Sequence, residues 1–229
     1  MKVVDKMVEI ETAYATIGKS AEQFILDEEY IIAAKIFGDS VSDVLHNRSN
    51  YSIVDVSSLH RAGDIVFLKT TMSSSDEVSV LEQRVEVKAI SYPYKKNVVL
   101  ETKLPAYIDA RSGQFIPEQA GFFLKRGVDW YAFVYNDIEG YPQRLMLVNE
   151  NELWNYYQEN KEKYPAFPMG YGMNKAYCLL IPCCEIEKHC ESTKIIYCGS
   201  AVKVFMFQTE NKQNPAYIGQ VSIQVTGKD

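Results

Sequence analysis

The chain has 229 residues, of which 47% are hydrophobic and 24% charged, with a formal net charge of −6. That length buries a sizeable core, and the balance excludes a disordered or fibrous chain. No apolar run reaches the roughly 18 residues of a membrane span, the start MKVVDKMVEIETAY carries acids where a secretory signal has basic residues and an apolar block, and the net negative charge is the main evidence against a nucleic-acid partner, without deciding it. The expectation is one intracellular domain without membrane contact.

The first 38 residues read as helical, broken at Gly18-Lys19-Ser20. Ser20 and Gln23 have the spacing of a capping box, and the following segment sets Phe24, Ile31 and Ile32 or Lys35 at helical spacing before Gly38 ends it. Asp39 to Ser52 predicts a short helix and a polar turn. From residue 53 the period changes to that of strands. Ile53-Val54-Asp55-Val56 is short and β-branched, and Ile65-Val66-Phe67-Leu68 is a continuous apolar run. A polar loop is expected over Thr70 to Glu77, then a strand over Val80 to Ile90.

After the turn Tyr92 to Asn97, Val98-Val99-Leu100 is a further buried-type strand. Residues 105–128 are rich in Pro and Gly and read as loop. Trp130 to Tyr135 is an aromatic strand whose alternation reads chiefly as core packing, and Leu145 to Val148 is its hairpin partner. Asn151 to Lys163 is a helix capped by Asn149 or Asn151. The remainder, 174–226, reads as several strands with polar turns. Helices, a strand-rich middle and a β-rich tail predict an α/β or α+β fold in one domain spanning 1–229.

Cys178, Cys183, Cys184, Cys190 and Cys198 all lie in the last quarter. An odd count with no CxxC pair argues for reduced thiols packed as small hydrophobes in strands, with zinc binding beside His189 as the lesser reading. Lys95, Lys96, Lys125, Arg126 and Arg144 are the candidate cations of a nucleic-acid groove.

Glu-x-Lys occurs four times, at Glu86, Glu101, Glu159 and Glu210. Only the first copy sits inside a buried strand, where Glu and Lys are rare unless paired. Side chains alternate along a strand, so Glu86 and Lys88 share a face while Val85 and Val87 take the other. Gly63-Asp64 opens the preceding apolar strand. If the two strands pair, Asp64 meets Glu86 at the sheet edge. Two carboxylates and a lysine there suit Mg²⁺ or Mn²⁺, and that set can hydrolyse a phosphodiester.

Gly63-Asp64-Ile65-Val66 followed by Arg84-Val85-Glu86-Val87-Lys88 resembles the paired core motifs of the PD-(D/E)xK nuclease superfamily, with Gly63 at the position of the name-giving proline. Lys96-Asn97-Val98-Val99-Leu100-Glu101 is similar to a segment of several phage and bacterial members. Gly121 through Asp129-Trp130-Tyr131 resembles a later one. The resemblance covers about residues 20–150 and implies a restriction-endonuclease-like mixed central β-sheet flanked by helices, with 160–229 as a β-rich extension. It further implies that Asp64, Glu86 and the Val87 carbonyl ligate Mg²⁺ or Mn²⁺, that Lys88 positions the attacking water, and that Glu22 supports a second metal or orients Lys88. Glu101 is a possible auxiliary group whose plainer reading is a salt bridge with Lys103. His60 is a possible extra ligand, and Asp129 is read as a turn anchor. The implied activity is a DNA endonuclease acting as a homodimer in the cytoplasm of a bacterial or phage-infected cell. A ribonuclease and an inactive binding or assembly module of the same fold are the alternatives.

Overall fold

The computed structural model describes residues 19–56, 63–72, 77–90, 96–108, 112–137, 139–169 and 176–197. Residues 19–27 are helical and form α1. Lys19 and Ser20 therefore lie inside a helix, so Ser20 is not the predicted cap. Helix α2 (Glu29–Phe37) follows and ends at Gly38, whose φ of 73° is the left-handed turn that glycine takes without strain. In α3 (Val41–His46) Ser40 caps the start by accepting from the Asp43 amide. Ala21 and Ile25 are buried one turn apart in α1, and Ile32, Ala33 and Ile36 are buried in α2. Phe24 and Ile31 pack at the margin of this face, and Lys35 is exposed.

Six strands form the main sheet, in the order β1 (Tyr51–Asp55), β2 (Ile65–Met72), β3 (Val78–Ile90), β8 (Trp130–Asn136), β9 (Pro142–Asn149) and β12 (Lys194–Tyr197). Only β3 and β8 run parallel; the other neighbours are antiparallel. Every residue of β8 is buried, as expected of a central strand covered on both faces. The expected loop from Thr70 to Glu77 begins as strand, because Thr70, Thr71 and Met72 pair with Val80, Ser79 and Val78.

A second sheet orders β10 (Phe167–Met169), β11 (Ala176–Pro182), β4 (Asn97–Leu104) and β7 (Gln119–Ala120), and β5 (Tyr107–Ile108) pairs with β6 (Phe115–Ile116). Helix α4 is Phe122–Lys125, and α5 is Glu150–Asn160 with Asn149 as its cap. The tail is not all strand: α6 (Cys183–His189) follows β11. Cys183 and Cys184 thus open a helix, and of the described cysteines only Cys184 is exposed.

The fold is a mixed α/β arrangement around a mixed sheet with a core on each face. Ile65, Phe67, Val85 and Val134 pack beneath α1 and α2; Tyr131, Phe133, Leu100 and Leu153 fill the other face. Asp129 ties the centre together. Its carboxylate accepts from the Arg84 amide at 2.7 Å, its own amide donates to the Arg84 carbonyl, and its carbonyl accepts from the Glu150 amide. Among the described residues no helix is long and apolar enough to cross a membrane.

Gly121 is where β4 and α4 touch. Its amide donates to the Thr102 carbonyl, and a Cβ there would lie 2.6 Å from the Lys103 nitrogen and closer still to the Glu101 carbonyl. Those atoms are backbone and cannot swing away. Gly121→Ala should therefore destabilise the fold by about 1–3 kcal/mol. In a thermal melt that is a fall of roughly 2–4 °C per kcal/mol. An unchanged midpoint would show that β4 and α4 do not meet this closely.

Candidate active site

Strand β2 begins opposite Val85, and the residue before it is fixed three times. The Asp64 amide donates to the Val85 carbonyl at 2.9 Å, and its carbonyl accepts from the Val56 amide at 2.8 Å. Its Oδ2 accepts from the Val87 amide at 2.8 Å. The side chain thereby replaces the backbone partner β3 would otherwise find there. Gly63 makes the entry possible: its φ is +87°, and a Cβ added there would come within 3.2 Å of the Val85 carbonyl oxygen.

The Asp64 and Glu86 carboxyls lie close enough for each to alter the other's protonation. Glu86 keeps only 5% of its surface exposed. Lys88 Nζ sits 2.7 Å from Glu86 Oε1 and 3.7 Å from Glu101 Oε2. The ammonium also lies 5.3 Å from the centroid of the Phe122 ring, a cation–π distance. In a strand the N–H and C=O of one residue share an edge, so the Val87 carbonyl lies on the Asp64 side of β3.

Burial pushes the Asp64 carboxyl above the usual range, against the Val87 amide and Lys88. Burial likewise pushes Glu86 up to about 7, with Asp64 and Glu101 adding to it and Lys88 opposing. Burial would lower the Lys88 ammonium, but Glu86 and then Glu101 hold it well above an ordinary lysine. Lys88 is therefore a fixed cation at neutral pH. Glu22 is raised by burial, then by Asp64 and Asp55, which brings α1 to the same edge.

The expected set thus converges at the edge of β3: Asp64, Glu86, Lys88 and the Val87 carbonyl, with Glu22 in electrostatic range. Glu101 reaches the site from the second sheet, while Lys103 pairs with Glu118 instead. Arg126 is held by the buried Glu150 carboxylate, its Nε at 2.6 Å, and lies over the Trp154 ring. Lys125 is exposed, and Lys96 is exposed just before β4. Trp130, Tyr131, Phe133 and Tyr135 are buried, so none is available to stack on bases. His60 and Lys95 lie outside the described residues.

Asp55 and Phe122 are the two residues that the motifs did not single out. Asp55 ends an apolar strand just before Gly63-Asp64, a placement that marks a carboxylate at the same sheet edge. Phe122 carried no such signal. Among the described residues no three His, Cys, Asp or Glu side chains are gathered as a ready ligand cage, and this holds for the cysteines as well. Neither a family model, nor a curated protein, nor a solved structure matches the chain.

Because both carboxyls are raised from 3.8 and 4.5, this pair holds more protons in the folded protein than in the unfolded chain up to about pH 7. Stability should accordingly fall as pH rises through that window. Asp64→Asn retains an oxygen for the Val87 amide and removes one of the two charges. Its thermal midpoint at pH 8, in EDTA, should exceed wild type by about 2–4 °C, roughly 1 kcal/mol. The gap should close by pH 5. A variant less stable at pH 8 would mean that the carboxylate pair does not oppose folding.

Proposed function

We propose that this protein is a metal-dependent nuclease of the PD-(D/E)xK type that cuts DNA. One observation carries the reading: the Val87 amide holds the Asp64 carboxylate at 2.8 Å beside Glu86, on the strand face that also presents Lys88. Four features of the chain order support the matching restriction-endonuclease-like fold. A helix precedes the sheet, β1, β2 and β3 are antiparallel neighbours, a short helix intervenes, and β8 returns parallel to β3.

The donor set fits Mg²⁺ or Mn²⁺. Two carboxylates and a carbonyl are all oxygen, and such ions keep several waters where protein ligands are few. The buried, proton-hungry Glu86 beside Asp64 is the electrostatic deficit that a cation would fill. Asp64, Glu86 and the Val87 carbonyl would hold it, with Glu22 nearby. When bound, the ion supplies charge stabilisation at the phosphate and activates water.

The chain's own groups do the rest. Lys88 stays protonated and offers N–H donors, so it orients an attacking water and stabilises charge developing on the phosphoryl oxygens. Glu86 and Glu101 keep the ammonium from swinging away, and the Phe122 ring covers it. A net charge of −6 is compatible with this reading, because a cation held by Asp64 and Glu86 would reverse the local sign. Cutting both strands of a duplex needs two such centres, which a twofold homodimer supplies.

Plasmid DNA, linear duplex DNA and single-stranded RNA, each with Mg²⁺ or Mn²⁺ and with EDTA controls, test the reading. Wild type should cleave the DNA substrates, and EDTA should abolish cleavage. Lys88→Gln should fall by about 10²–10³ in rate, the usual cost of losing a charge-stabilising donor, while keeping its fold by circular dichroism. Cleavage of RNA alone would move the assignment to a ribonuclease. Folded wild type that cuts none of the three would leave an inactive module of this fold.

A further inference from the structure

The C-terminal end of β8 opens into a pocket. Glu86 pairs with Tyr131 and Ile90 with Tyr135, so this end lies roughly 13 Å along the sheet from Glu86. The cavity is about 510 Å³, and its walls are Lys96, Tyr135, Asn136, Asp137, Gln143, Arg144 and Tyr197; the Asp137 carboxylate there accepts from the Glu139 and Tyr141 amides and from Gln143 Nε2. That is within the size range of small-molecule sites.

The backbone here is irregular. Tyr135 faces Arg144 but Asn136 faces Pro142, which makes Gln143 the extra residue of a β-bulge. Bulges re-aim side chains and recur beside binding sites. Asn136 is 2% exposed, yet neither its Nδ2 nor its Oδ1 has a hydrogen-bond partner. A buried amide left unmet on both atoms opposes folding, so its presence calls for a partner from outside the chain.

The rest of the pocket indicates which partner. Arg144 lies over the Tyr135 ring, Cζ 4.3 Å from its centroid, with Nη2 3.6 Å from Cys183 Sγ, so the guanidinium is part of the wall. Lys96 stands exposed at the rim, its backbone pinned by the Cys183 amide. Tyr197 pairs with Arg144 across β9 and β12 and is 59% exposed. Two cations suit a phosphate, an exposed ring suits stacking on a planar base, and an amide offers one donor and one acceptor to a base edge.

We propose that this pocket binds a nucleotide unit, with its phosphate at Lys96 and Arg144, its base on Tyr197 and its base edge at Asn136. The binding does not require phosphodiester hydrolysis at Asp64 and Glu86, and the two readings fail separately.

Calorimetric titration in EDTA tests it, with nucleoside 5′-monophosphates, the parent nucleosides, inorganic phosphate and a single-stranded hexanucleotide as probes. Monophosphates should bind wild type at least tenfold more tightly than nucleosides or phosphate do. Lys96→Glu and Tyr197→Ala, both at exposed positions, should each weaken them at least tenfold, and Asp64→Asn should leave them unchanged. Asn136→Leu should raise the thermal midpoint by a few degrees while weakening binding; if it fails to fold, the two surface variants decide. A hexanucleotide that binds more tightly than any monophosphate identifies a strand as the source, and one that does not identifies a free nucleotide. Absence of nucleotide binding, or binding that Lys96→Glu and Tyr197→Ala both leave unchanged, overturns the proposal.

Discussion

The hydrogen bond from the Val87 amide to the Asp64 carboxylate joins the chemistry of the site to the register of the sheet. β2 reaches Val85 and stops, and beyond that point an aspartate side chain continues the ladder in place of backbone. Slipping the β2–β3 register by one residue would turn Glu86 and Lys88 to the opposite face and strand the carboxylate. Both cores act to prevent the slip, since Ile65, Phe67 and Val85 fill one and Tyr131 and Phe133, across from Glu86 and Lys88, fill the other. Apolar packing that has no part in the chemistry thus fixes a carboxylate pair that folding by itself disfavours.

That disfavour is informative. Burying two carboxylates in contact costs free energy unless something positive compensates, and Lys88 is the compensation the chain carries itself. It is shared between Glu86 and Glu101 and backed by Phe122. Glu101 stands on a different sheet and Phe122 on a short helix, so Lys88 is where the two sheets meet chemically. The close approach of Gly121 to β4 is what brings Phe122 there. A cation held between an acid on each side is a poor proton acceptor and a good electrostatic anchor, which decides its part in the proposed reaction.

The two ends of the β3–β8 pair differ in kind. At one end, Asp64 and Glu86 lie beside an amide already satisfied by Asp64, with Glu22 and Asp55 in electrostatic range. At the other, a bulge in β9 leaves Asn136 unsatisfied beneath Lys96 and Arg144. One end presents buried carboxyls, and the other a lysine and an arginine beside an aspartate.

Sequence alone determined which residues could form the site. Glu86 and Lys88 stand at a spacing of two in an apolar strand, a pattern that puts both on one face whatever the fold, and Gly63-Asp64 opens the strand before it. It also determined the strand period from residue 53 and the C-terminal end of α2, because Gly38 takes the left-handed turn through its own backbone. Tertiary structure decided everything that depends on chain segments distant in sequence. Glu101 belongs to Lys88 and not to the nearby Lys103, since β4 crosses into the other sheet, and Arg126 belongs to Glu150, since α5 folds back on α4. The helix at Cys183 and the strand through Thr70 to Met72 were hidden for the same reason. Local preference there is weak, and the partner that settles the conformation lies elsewhere in the chain.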